Sequence, residues 1–200
     1  MSVTAIAYDL AMGRWEPNAR GRLEQAALAL YSEHGFEQTT AAQIAERAGL
    51  TERTFFRHYA DKREVLFGAA RTLEDAFVDT LTATPDTASP IDAMAATLEA
   101  VSDSFFLDRH EFARQRQAVI AANAELRERE LIKLASLAAA IATTLRRRGV
   151  REPAASLTAE AGIAVFKVGF ERWVADSGER PLADFIRESL DGLKAVTAGR

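Results

Sequence analysis

Apolar residues along the chain recur at intervals of three and four, the spacing that gathers them on one face of a helix. No stretch alternates apolar and polar residues for long enough to predict a strand. The periodic segments predict about nine helices, over roughly 18–34, 41–48, 52–58, 62–83, 90–107, 110–122, 124–148, 154–177 and 181–197. Prolines 17, 85, 90, 153 and 181 stay out of the helix interiors, where each would cost about 3 kcal/mol. Gly35, Gly49, Gly149 and Gly178 each follow a periodic segment, where a helix end favours positive φ. Start signals agree: Thr40 with Gln43 and Asp61 with Glu64 have capping-box spacing, and Ser89-Pro90 reads as an N-cap and the first helical residue. The expected class is all-α.

Composition narrows this picture. With 200 residues there is room for one domain or two small ones and for a core that needs no staples. The absence of cysteine excludes disulfides and thiolate-bound zinc. No apolar run nears the ~18 residues of a membrane span, and residues 1–13 lack the basic-then-apolar order of a signal peptide. A soluble, cytoplasmic protein with a mobile tail over residues 1–13 is expected. The net charge of -4 argues against bulk attraction to nucleic acid, so any such role must rest on local charge.

The first three helices carry that local charge. Ala27, Leu30, Tyr31 and His34 share one face of the first helix. Ile44, Ala45 and Ala48 form the stripe of the second, Gly49 supplies a sharp turn, and Thr51 can cap a third helix whose inner face is Phe55 and Tyr59. Two short helices joined by about three residues that include glycine make a helix-turn-helix unit, here about 41–60. The outward positions of its third helix are Arg53, Thr54, Arg57 and His58, with Phe56 at the flank. Such donors reach base edges or phosphates, and an exposed ring can touch a thymine methyl. Residues 53–63 hold Arg53, Arg57, Lys62 and Arg63 against Asp61, whereas acids and bases balance over 14–67. Counterion release depends on charge at the contact and not on the chain total. Taken alone, the same composition also suits an ordinary helix with a solvated basic face.

The stretch from about Arg20 to Phe67 resembles the N-terminal domain of the TetR family of bacterial transcriptional regulators. The matching residues are Ala26-Ala27, Phe36, Thr39-Thr40, Ile44-Ala45, Ala48-Gly49-Leu50-Thr51, Thr54-Phe55-Phe56, His58-Tyr59, Asp61-Lys62 and Val65-Leu66. The resemblance implies a DNA-binding domain over 14–67 and a helical ligand-binding and dimerisation domain over 68–200. It implies phosphate contacts from Thr40, His58 and Lys62, and major-groove contacts from Arg53 and Thr54. Thr51 and Arg57 join them as DNA-facing candidates. Phe56 stands where the family often has tyrosine, so it keeps the apolar contact and loses any hydroxyl bond. Ala42 replaces a frequent basic residue. Glu52 would repel phosphate unless it accepts from a cytosine amino group or pairs with an arginine.

Past residue 68 the chain carries no motif with a residue-level match. Two readings of its phenylalanines stand side by side: plain core packing, or a pocket lined by Phe105, Phe106, Phe112, Phe166 and Phe170, with Arg116, Gln115, His110 or Asn123 as polar handles. Gly162 and Gly169, seven apart on one helix face near Val165, Phe166 and Trp173, suggest close approach of another helix, either within the chain or from a second copy. With the family's dimers in view, Gly162, Val165, Gly169 and Trp173 are the candidate dimer interface. Arg146-Arg147-Arg148 reads as a basic helix end. A continuous helix over 62–83 would join the two domains as a rigid transmitter. No phosphate loop, no Gly-x-Ser-x-Gly and no paired metal-ligand histidines occur, so neither an enzyme nor a cofactor or metal is expected. The expected function is a homodimeric repressor on a palindromic operator, released by a small apolar or amphipathic effector. The competing expectation is a helical carrier or sensor whose DNA-binding head no longer works.

Overall fold

The computed structural model describes residues 19–199, and the tail expected over 1–13 lies outside them. The described residues form nine α-helices: α1 (Ala19–His34), α2 (Ala41–Arg47), α3 (Glu52–His58), α4 (Ala70–Ala83), α5 (Pro90–Phe105), α6 (His110–Ala122), α7 (Ala124–Arg147), α8 (Ala154–Ala175) and α9 (Leu182–Thr197). One 3-10 turn, Glu64–Phe67, lies between α3 and α4. The chain divides into two compact units at Gly68 and Ala69.

In the first unit α1 supplies Leu23, Ala27, Leu30 and Tyr31 to a core completed by Phe36, Ile44, Phe55, Tyr59, Val65 and Leu66. Each large apolar side chain buried here contributes about 1.5–3 kcal/mol. That burial holds short helices which would be marginal alone.

The helix expected over 62–83 is corrected: it is two elements. Asp61 accepts from the backbone N–H of Arg63 (2.8 Å) and Glu64 (3.2 Å), which starts the 3-10 turn, and Gly68 ends it with its N–H on the Val65 carbonyl. A side chain at 68 would meet the Glu24 carboxylate and, at 2.6 Å, the Tyr59 hydroxyl, so glycine is what fits there. No single rod spans residues 62–83.

In the second unit α8 packs against α5, α6, α7 and α9. The core gathers Phe77 and Leu81 of α4, Met94 and Leu98 of α5, Ile141 and Leu145 of α7, Phe166 of α8 and Ile186 of α9. Arg148, at the end of α7, donates to the carbonyls of Leu81 (2.9 Å), Thr84 (2.6 Å) and Pro85 (3.0 Å), and so ties the end of α7 to the chain leaving α4.

The glycine face of α8 needs a second correction. A Cβ at Gly162 would meet Met94 of α5, and one at Gly169 would meet Ile186 and the Phe185 backbone of α9. Val165 and Trp173 are buried with them. The close approach that the glycines permit is made inside the chain, and the outward side of α8 carries Leu157, Ala164 and Val168 instead.

Candidate nucleic-acid interface

α2 and α3 are set by their caps. Thr40 accepts from the Gln43 N–H (3.2 Å) while the Gln43 side chain accepts from the Thr40 N–H (2.8 Å), the complete capping box expected from the spacing. Thr51 accepts from the Thr54 N–H (3.2 Å), and the two threonine hydroxyls lie 3.0 Å apart. Gly49 turns the chain between the helices at φ 65°. Arg22 of α1 fastens that turn: its guanidinium donates to the carbonyls of Ala48 (2.9 Å from Nε) and Gly49 (3.2 Å). Periodicity could not single out Arg22, because its partners are backbone atoms 26 and 27 residues away.

Phe55 is fully buried, and Phe56 rests edge-on against it at 5.3 Å while staying 53% exposed. Arg53 and Arg57, one turn apart, are exposed together with Glu52, and none of the three makes an ion pair among the described residues. The outer face of α3 thus offers two free guanidinium groups, a ring and a carboxylate, over a helix about 10 Å long at ~1.5 Å per residue. A major groove about 12 Å wide admits such a helix.

One of the expected phosphate contacts, that of Lys62, is revised. The Lys62 ammonium donates to three backbone carbonyls, Phe36 (2.8 Å), Thr39 (3.0 Å) and Glu37 (3.3 Å), and lies 4.3 Å from the centre of the Phe36 ring. An ammonium has three donors, and these are all engaged in closing the α1–α2 turn. The Tyr31 hydroxyl donates to the Lys62 carbonyl at 2.6 Å, which fixes the same residue from its backbone. His58 is half-buried and its Nε2 has no hydrogen-bond partner among the described residues. Burial, then the charges of Arg57 and Arg20, lower its pKa below the ordinary 6.5.

In the second unit the phenylalanines converge. Phe106 contacts Phe105 (5.0 Å), Phe170 (5.7 Å), Phe166 (5.9 Å) and Trp173 (5.9 Å), and Phe77 meets Phe166 at 5.9 Å. Phe112 makes no ring contact with this cluster among the described residues, and Arg116 is paired with Glu130 at 3.2 Å. His110 does adjoin them, edge-on to Trp173 at 4.9 Å with Nε2 2.9 Å from the Trp173 carbonyl. Phe77 and Trp173 join these rings beyond the sequence expectation: Phe77 sits on a stripe that reads as ordinary core, and Trp173 reads as part of the dimer face. A cleft of about 280 Å³ beside Ala88, Pro90, Leu145 and Arg148 shares no residue with this cluster. No helix among the described residues is long and apolar enough to cross a membrane.

A capped helix-turn-helix with an exposed basic face, followed by a separate helical unit, defines a helix-turn-helix transcriptional regulator. Residues 24–69 match the profile of the bacterial regulatory proteins of the tetR family, and residues 88–198 match that of the MftR C-terminal domain. The chain belongs to the TetR family. It is 39% identical over 82 residues to the HTH-type transcriptional regulator TcmR of Streptomyces glaucescens, over 41% of this chain and 36% of that protein. With MftR of Mycobacterium tuberculosis (strain ATCC 25618 / H37Rv) it shares 31% over 61 residues, 30% of this chain and 31% of that one. The matched region therefore spans about a third of each relative. Among solved structures, the SmeT–triclosan complex superposes with a TM-score of 0.61 at 23% identity, covering 89% of this chain and 90% of that one. The fatty acid degradation regulator FadR from Bacillus halodurans gives 0.54 at 16%, covering 89% and 95%.

Proposed function

We propose that this chain is a cytoplasmic repressor that binds a palindromic operator as a homodimer and leaves it when a small apolar or amphipathic molecule enters the second unit. The observation that carries the reading is the outer face of α3, where Arg53 and Arg57 are exposed without an ion pair and Phe56 is exposed beside them, on a helix whose inner side is fixed in the core. On this reading Arg53, Thr54 and Phe56 meet base edges, Arg57 and the cap residues Thr40 and Thr51 meet the backbone, and Lys62 shapes the turn that presents them.

A single short helix buries too little surface for specific affinity, whereas a two-fold pair reads half-sites about 34–36 Å apart. The dimer face fits the outward side of α8, where Leu157 is 65% and Val168 48% exposed, with Val196 of α9 exposed as well. The cluster of Phe105, Phe106, Phe166 and Phe170 is the effector-responsive part, and a triclosan complex of the neighbour SmeT supports a small-molecule role for such a body. A gel-shift on the upstream region of the encoding gene, run as a salt series, tests the reading. Specific binding with a steep salt slope is expected. Binding no tighter than to random DNA would leave a helical carrier or sensor.

A further inference from the structure

α3 opens on an acid. Glu52 is exposed on the same outer face as Phe56, which stands one turn further along and is 53% exposed, so a carboxylate and a ring adjoin on the surface. Three other acids of this unit have donors: Glu33 is held by Arg47 and Asp61 by Arg63, both at 2.7 Å, and Glu24 accepts from the Tyr59 hydroxyl at 2.8 Å, whereas the exposed Glu37 and Glu46 make no ion pair among the described residues but lie off the outer face of α3. Glu52 has no arginine, lysine or histidine within ion-pair reach among the described residues, although Arg53 and Arg57 share its helix. Neither arginine neutralises it.

An uncompensated carboxylate carried into a groove between phosphates is repelled unless it finds a donor there. In the major groove the donors are the exocyclic amino groups of cytosine and adenine. Beside the adenine amino group lies N7, an acceptor that opposes a carboxylate, whereas the cytosine amino group is flanked by the apolar C5 edge. Thymine O4 and guanine O6 and N7 present lone pairs to the carboxylate and no proton. We propose that Glu52 is a specificity-determining residue that accepts a hydrogen bond from the N4 amino group of one cytosine in each half-site, with the Phe56 ring against a neighbouring pyrimidine edge. The inference rests on α3 being the recognition helix, and it turns an electrostatic liability into discrimination: the carboxylate lowers affinity for every sequence and recovers it at one base.

The test measures Kd by gel shift, at one fixed salt concentration, for the operator and for variants with all four base pairs at each half-site position. The wild type should prefer cytosine at one position by about 10- to 100-fold. Glu52→Ala should flatten that position alone and bind random DNA as well as, or better than, the wild type. Glu52→Gln should move the preference there towards adenine, whose N6 and N7 match an amide. An unchanged base profile in Glu52→Ala, or an even loss at every position, overturns the proposal. Should the wild type bind no duplex specifically, the recognition-helix reading itself fails, a result distinct from a specific binder that ignores Glu52.

Discussion

Lys62 shows how a side chain read as a DNA contact can serve the fold that makes the contact possible. Its ammonium closes three carbonyls of the α1–α2 turn, and α2 begins just after that turn at Thr40. Removing the ammonium leaves those carbonyls short of a donor, so Lys62→Met should destabilise the first unit by about 2–3 kcal/mol, read as a lower urea midpoint at unchanged m. Lys62→Arg should rescue it poorly, because a planar fork cannot aim at three convergent oxygens. The salt slope of operator binding should stay that of the wild type, whereas a lost phosphate contact would lower it by about one. A slope reduced by one at full stability would return Lys62 to the phosphates. The second residue at this scale is His58. Its folded pKa lies below the 6.5 of an unperturbed imidazole, so below about 6.5 the unfolded chain binds the extra proton first. Stability is then level above pH 6.5 and falls as the pH drops towards the folded pKa. Asp61 and Glu33, whose pKa values are also lowered, act in the same direction only below their ordinary 3.8 and 4.5. Thermal unfolding at pH 7.5 and 5.5 should show a drop in the wild type that His58→Asn largely removes.

At the scale of elements, two glycines seven residues apart on α8 make opposite demands. Gly162 faces the thioether and methylenes of Met94, a flexible side chain that can give way, while Gly169 faces the backbone of Phe185 and Ile186 as well as the Ile186 methyl at 2.9 Å. Alanine gains about 1 kcal/mol of helix propensity at either site. Gly162→Ala should therefore cost less than Gly169→Ala, which should cost about 1–3 kcal/mol through overpacking against α9. Equal denaturation midpoints for the two variants would contradict this. The sequence made the glycine face visible and left its partner open, because a heptad of small residues specifies close approach without naming the helix that approaches. The same limit governs α4. Capping at Asp61 was legible, but the end at Gly68 depends on Glu24 and Tyr59 meeting across the fold, so the apolar stripe from Leu66 to Leu81 read as one helix. Where the signals were local, as in the Thr40–Gln43 box and the Thr51 cap, the elements stand as expected. Arg53, Phe56 and Arg57 were readable as an outer face because Phe55 and Tyr59 fix the inner one.

For the whole molecule, regulation requires that two distant properties share one equilibrium. On the proposed function dimerisation is the first: a charge on the outward side of α8, Val168→Glu, should yield a monomer by sedimentation and a loss of operator affinity, with the fold of each unit kept because Val168 is exposed. A dimer that still binds operator would put the two-fold elsewhere. Effector response is the second. The rings of Phe105, Phe106, Phe166 and Phe170 touch one another at 5.0–5.9 Å, so a molecule inserted among them must part them. Close-packed interiors respond to such a wedge by shifting between discrete arrangements. The wedge matters only through its differential affinity for the DNA-bound and free forms, typically about 1–3 kcal/mol, or 5- to 150-fold. Linkage makes the effect mutual: if the molecule weakens operator binding by some factor, operator must weaken binding of the molecule by the same factor. Phe170→Ala removes a ring that is only partly buried and reaches Phe106, Phe166 and Trp173, so it should alter the response while leaving effector-free operator affinity within about twofold. The measurement is a titration of apolar and acyl compounds into a preformed protein–operator complex, followed by the Kd of each active compound with and without saturating operator. Reciprocal factors that change together in Phe170→Ala would tie the aromatic cluster to DNA release. Compounds that bind the second unit with one affinity regardless of operator would make the protein a DNA binder of fixed strength, and its phenylalanines plain core.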